Sequence, residues 1–162
     1  MSSLLLPVLL VALAPSERSL QSERYGVRID APAGWTILRQ NAYPSVIASM
    51  THRDGGRLTF SGQRAQAGDT AEKLAERSRS ALEQNGLRVE RIAPSPLESG
   101  MVELTGKTSD GKLLLRQLYM IHGATGYVLT LTAPPAKMAQ YGKDLEAAWR
   151  GVTYFPPKSA HE

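Results

Sequence analysis

The chain has 162 residues, 42% hydrophobic and 21% charged, enough for one domain that buries roughly 70% of its unfolded surface without a disulfide or metal. These proportions exclude a disordered, collagen-like or polytopic membrane chain, and the absence of cysteine excludes disulfide frameworks, thiolate zinc sites, iron–sulfur clusters and thiol nucleophiles. The net charge of +4 comes from interspersed residues and is only a weak pointer to an anionic partner.

Residues 4 to 14 read LLLPVLLVALA, all uncharged. The run is shorter than the ~20 apolar residues of a spanning helix. It matches the apolar core of a secretory signal, with Ala12-Leu13-Ala14 as a small-x-small cleavage pattern. No Lys or Arg precedes it and Pro15 follows it, neither of which is typical of such a signal. The rival reading is a buried N-terminal strand or helix of a cytoplasmic protein. Pro15 to Arg24 is polar and reads as a linker. Residues 1–24 are therefore expected to be signal peptide and linker, 25–155 the folded domain and 156–162 a tail. The expected location is periplasmic or secreted, with no stable membrane span beyond the signal.

The body opens with an alternating segment, Tyr25 to Asp30, which predicts a half-buried strand. Ala31-Pro32-Ala33-Gly34 turns the chain, and Trp35 to Leu38 restarts a strand. Asn41 to Ser45 is a loop, Val46 to Thr51 a strand, and Arg53-Asp54-Gly55-Gly56 a turn. From Arg57 to Ala65, Leu58, Phe60 and Gly62 alternate with Arg57, Thr59, Ser61 and Gln63. The period then changes. Between Asp69 and Asn85, Ala71, Leu74, Ala75, Ser78, Ala81 and Leu82 fall on one helical stripe. Asp69 or Thr70 caps its start, and Gly86 follows its end.

Leu87 to Ala93 predicts a strand, closed by Pro94 and Pro96. Gly100 to Thr108 and Lys112 to Ile121 flank Ser109-Asp110-Gly111, the strongest hairpin signal in the chain. His122 to Gly126 turns the chain into a last strand carrying Tyr127, Leu129 and Leu131. Pro134 and Pro135 open a second helix, with Met138, Tyr141, Leu145, Ala148, Trp149 and Val152 on its apolar stripe. Tight hairpins between successive strands require antiparallel pairing. The expectation is a single-domain α+β fold, an antiparallel β-sheet with two main amphipathic helices packed on it.

The segment YGVRIDAPAGW, Tyr25 to Trp35, resembles the opening strand and turn of PsbP-like and DcrB-related proteins. The likeness continues in order: a helix over Asp69 to Asn85, a hairpin carrying Glu103-Leu104-Thr105-Gly106 and Leu115-Arg116-Gln117-Leu118-Tyr119, then GYVLTLTAP, Gly126 to Pro134, leading into a helix. The resemblance implies an antiparallel sheet with helices on its faces. It also implies a role in binding, since such families include photosystem accessory proteins, periplasmic proteins of unknown role and Eag-type chaperones for secreted effectors. It carries over no catalytic motif. The apolar N-terminus departs from the Eag-type pattern.

A search of the residues for chemistry returns little. His52, His122 and His161 show no local metal-ligand spacing. Ser61-Gly62 and Ser99-Gly100 lack the Gly-x-Ser-x-Gly elbow, and the acids fall mostly on helix faces rather than as a pair across a cleft. The glycine turns lack the lysine of a phosphate loop. Arg77 and Arg79 interleave with Glu76 and Glu83, ordinary helix-surface pairing rather than a nucleic-acid footprint. No cofactor, metal or catalytic residue is expected. What remains as a ligand or partner surface is Trp35, as a core aromatic or groove wall, with Arg57, Gln63 and Arg116 on polar strand faces and His122 in a turn. The expected function is non-catalytic recognition of another protein. The alternatives are a chaperone for a secreted effector and a hydrolase using His122.

Overall fold

The structure, a computed structural model, describes residues 18–38 and 43–158. The apolar run at 4–14, the start of the loop at Asn41 and the end of the tail with His161 lie outside the described residues. Strands β1 (Ser19–Ser22), β2 (Val27–Asp30), β3 (Trp35–Leu38), β4 (Val46–His52) and β5 (Arg57–Arg64) precede helix α1 (Ala71–Gln84). Strands β6 (Leu87–Pro94), β7 (Val102–Thr108), β8 (Leu114–His122) and β9 (Thr125–Ala133) precede helix α2 (Pro135–Arg150), and β10 (Thr153–Tyr154) follows it.

The fold is α+β, and every strand pairing is antiparallel. Seven strands form one sheet in the order β3-β4-β5-β9-β8-β7-β6, and β1-β2-β10 form a small second sheet. The turn chemistry behaves as the residue types require: Gly34 and Gly111 take φ of 85° and 70°, where a side chain would be strained. Between 15 and 24 the sequence shows no strand pattern, yet Ser19–Ser22 form β1 by pairing with β2, Ser19 opposite Asp30 and Ser22 opposite Val27. A four-residue strand with a single apolar side chain, Leu20 against the main core, is too short to carry a periodic signal, so only the partner strand reveals it.

Each helix covers part of one face of the large sheet. Helix α2 and the small sheet cover the face bearing Leu58, Phe60, Leu118, Leu129 and Leu131; there Tyr141, Leu145, Ala148 and Trp149 join Val27 and Ile29 in the main core. Helix α1 covers the opposite face over β6, β7 and β8, where Ala71, Leu74 and Ala75 pack with Val102, Leu104, Leu115 and Tyr119. Close packing depends on small residues: a Cβ on Gly126 would meet Leu74 at 2.6 Å.

The caps follow the sequence pattern, with Thr70 rather than Asp69 as the N-cap of α1. The Thr70 hydroxyl accepts the Lys73 N–H at 3.2 Å. Asp69 accepts the Gln66 N–H at 2.9 Å and both arms of Arg77 at 2.8 Å. The Arg77 hydrogen bonds, then that of Gln66, hold the Asp69 carboxyl down at about 2. In α2, Asp144 is half-buried rather than solvated because it serves Trp35.

Candidate functional site

The two helices leave opposite halves of the sheet faces open. On the face shared with α1, the part formed by β3, β4, β5 and the end of β9 from Thr130 lies beyond the helix and is lined mainly with hydroxyls. Register sets the rows: Ser49, Thr59, Thr130 and Gln117 lie side by side, and next to them Thr36, Thr51, Arg57 and Thr132. Ser61 and Gln63 continue the same face of β5. Arg57 and Gln63 are exposed, and among the described residues neither has an ion pair or side-chain hydrogen bond. At the boundary with α1, the Gln117 amide donates to Thr130 Oγ1 at 3.0 Å and its carbonyl accepts the Tyr119 hydroxyl at 2.6 Å. Burial pushes the Tyr119 phenol up to about 12, so this seam stays neutral.

Arg116 lies on the opposite face, away from Arg57 and Gln63. Alternation along β8 points it beneath α2. There its guanidinium donates to Glu103 at 2.9 and 3.1 Å and approaches Glu146 at 3.7 Å. Burial works against its charge, but Glu103 and then Glu146 outweigh that penalty and leave it above its ordinary value. A half-buried guanidinium paired with two carboxylates beneath α2 is engaged chiefly within the fold.

Trp35 is buried at the start of β3, under α2. Its indole N–H donates to Asp144 at 2.9 Å, and its ring meets His52 and Tyr141 edge-on at 5.5 and 5.3 Å. The Tyr141 hydroxyl and His52 Nδ1 are 3.0 Å apart, so β3, β4 and α2 are knitted together here. Of the two roles open to Trp35, this is the packing one.

His122 ends β8 at the opposite end of the molecule from Trp35's turn. Its exposed ring lies flat on Tyr154, centroids 3.9 Å apart and planes within 9°. The two rings belong to a cleft of about 420 Å³, whose other walls include Tyr25, Thr125, Phe155 and Pro157. Tyr127 sits behind it, its hydroxyl donating to the Tyr25 carbonyl at 2.6 Å. The structure thus places Arg57 and Gln63 on the same open face but at the two ends of β5, about 20 Å apart, and places Trp35, Arg116 and His122 on the other face, apart from one another. The threonine rows across strands and the meeting of Tyr25 and Tyr154 in one cleft were missed in the sequence. The alternation of Thr130 and Thr132 was a usable signal for the former; the latter joins residues from the two ends of the domain and left none. Among the described residues, no group of three or more His, Asp or Glu is set to hold a metal ion.

No protein-family model matches the chain, and no curated protein does. Solved structures do. The cyanobacterial PsbP protein CyanoP from Synechocystis sp. PCC 6803 superposes with a TM-score of 0.61 at 12% identity, over 93% of this chain and 99% of that one. LpqN, described as involved in cell envelope biogenesis of Mycobacterium tuberculosis, gives 0.53 at 15% identity over 80% and 83%. PA94 of Pseudomonas aeruginosa, a protein of unknown function, gives 0.52 at 16% identity over 75% and 83%. At these identities the likeness is one of fold: the chain has the PsbP-like architecture that its opening segment resembles.

Proposed function

We propose that this protein is an extracytoplasmic accessory protein that works by binding another protein, without chemistry of its own, and that it does so through the hydroxyl-lined half-face bearing Arg57 and Gln63. The observation that carries the reading is the register that lines up Thr36, Thr51, Arg57 and Thr132 beside Ser49, Thr59 and Thr130 on a face outside the reach of α1. A rigid sheet offers these groups in fixed positions, and exposed hydroxyls and a guanidinium form interface hydrogen bonds at low ordering cost.

Several features support the rest. LpqN, which shares the fold, is tied to the cell envelope by its description, and the Leu4 to Ala14 run has the composition of an export signal. No helix among the described residues is long and apolar enough to cross a membrane. A hydrolase built on His122 needs a nucleophile or carboxylate within hydrogen-bond reach; His122 instead stacks on Tyr154 and has no hydrogen-bond partner among the described residues. A chaperone for an apolar segment needs a long apolar concave surface, whereas the open half-face is mostly polar, with Leu38 its one exposed large apolar side chain among the residues paired there.

The test places a photo-crosslinking residue at Thr59, at Thr130 or, on the exposed side of α2, at Lys143, in the native host. The expected result is one discrete adduct from Thr59 and Thr130 that is lost with Arg57→Glu and absent from Lys143. Equal adducts from all three positions, or none from the sheet face, would refute the assigned surface. Fractionation of the same cells tests location, and a wholly cytoplasmic protein would overturn that part.

A further inference from the structure

The cleft beside His122 is separate from the open sheet face, and its walls point to a ligand of a different kind. It lies where the β8–β9 turn meets the β1–β2 turn and the segment following β10. Its volume, about 420 Å³, falls at the lower end of the range for small-molecule sites, room for one or two fused rings rather than a stretch of chain. We propose that this cleft binds a flat aromatic small molecule carrying a negative charge, an aryl carboxylate.

Three features set that class. Tyr154 is half-buried and His122 exposed, so the imidazole is the more solvent-exposed layer of their face-to-face stack, and it lines the cleft. A flat ring laid there extends the stack and buries area against Tyr25, Phe155 and Pro157 as well. The sign of the charge follows from the surroundings. No Asp or Glu lines the cleft. The Arg24 guanidinium sits 5.4 Å from the centre of the Tyr25 ring and leaves a positive charge at the wall. Of the acids nearby, Glu23 is engaged by Gln21 and by Lys158 at 3.6 Å, and Glu98, which acts on the buried Tyr154 hydroxyl rather than lining the cleft, accepts the Trp149 indole N–H at 2.8 Å. A neutral imidazole always has one N–H to donate, and among the described residues that of His122 is uncommitted. A carboxylate at the mouth can take it.

The inference does not rest on the sheet-face reading, and the experiment separates them. The full chain is titrated with naphthoate while amide NMR spectra are recorded, with naphthylmethylammonium and cyclohexanecarboxylate as controls for charge and for the flat ring. Naphthoate is expected to shift the amides of Gly26, Gly123, Ala124 and Phe155 saturably and to leave Thr59 and Thr130 unmoved. His122→Ala should weaken it roughly tenfold, the loss of one ring stack and one donor. Arg24→Gln should weaken naphthoate several-fold and improve the ammonium probe. Both residues are exposed, and an unchanged thermal midpoint shows that the loss is local. No saturable shift, shifts spread beyond the cleft, or equal binding of either control would overturn the proposal.

Discussion

Gly142 sits in the middle of α2, directly over the Arg116 guanidinium, and replacing it with alanine sets two effects of opposite sign against each other. Alanine in a helix interior is favoured over glycine by about 1 kcal/mol. The new Cβ, however, would lie 2.5 Å from Arg116 Nη1, where ordinary contact begins at 3.4 Å; the difference, 3.4 − 2.5 = 0.9 Å, must come from movement of the guanidinium. That group is not free to swing, because its Nε and Nη2 hold Glu103 at 2.9 and 3.1 Å. A shift of that size takes both bonds past hydrogen-bonding distance. Charge-assisted bonds contribute about 1.5–3 kcal/mol each, so losing both against the helix gain should make Gly142→Ala destabilising by about 2–5 kcal/mol net. The sign should reverse once the obstacle is gone. In an Arg116→Ala background the same substitution should stabilise by about 1 kcal/mol. Urea unfolding of the four proteins of this double-mutant cycle measures both numbers. If Gly142→Ala stabilises equally in both backgrounds, Arg116 does not lie where β8 alternation puts it, and the assignment of the two sheet faces fails with it.

Other consequences follow from single contacts. Among the described residues the buried Tyr154 hydroxyl has no hydrogen-bond partner, and burial, with Glu98 and Tyr127 nearby, pushes its phenol upward; Tyr154→Phe should therefore leave stability unchanged or raise it by up to about 1 kcal/mol, and a clear loss in a thermal melt would mean that the hydroxyl is satisfied. Trp149 packs edge-on to Phe60 and donates its N–H to Glu98 at 2.8 Å, so Trp149→Ala should cost about 3–5 kcal/mol and lower the thermal midpoint by roughly 10 °C. Asp69, held down from 3.8 to about 2 mainly by Arg77, contributes stability above its unfolded pKa that is lost as the pH falls through about 4 toward 2. Asp69→Asn should flatten the acid limb of a stability–pH curve in that window, and an unchanged limb would rule out the pairing.

The accessory-protein reading and the aromatic cleft use different parts of one frame. The seven-stranded sheet fixes the threonine rows through strand register, so a partner meets a preformed surface. The cleft is assembled from turns and from the segment after β10, with Phe155 tied back to the Gly26 carbonyl at 2.9 Å and Lys158 to that of Glu23 at 3.1 Å. A site held by a two-residue strand pairing and a few bonds between distant segments is more easily opened than one built on a central strand. Ligand in the cleft would therefore tighten the β1-β2-β10 sheet onto the core.

The order of strands and helices, the hairpin at Ser109-Asp110-Gly111 and the apolar stripe of α2 were all legible in the chain. Each depends on residues a few positions apart, where side-chain period and turn chemistry act directly. The same local reasoning separated Leu58 and Phe60 from Arg57, Thr59 and Gln63 as two faces of one strand. It could not say which face a helix would cover. That choice rests on contacts between segments far apart in sequence, and it sent Arg116 under α2 while leaving Arg57 and Gln63 in the open. Strand β1 existed only once β2 was there to pair with it, and the cleft existed only once Tyr25 and Tyr154 were brought together from the two ends of the domain. Periodicity describes an element's own symmetry; what lies against it is decided by packing.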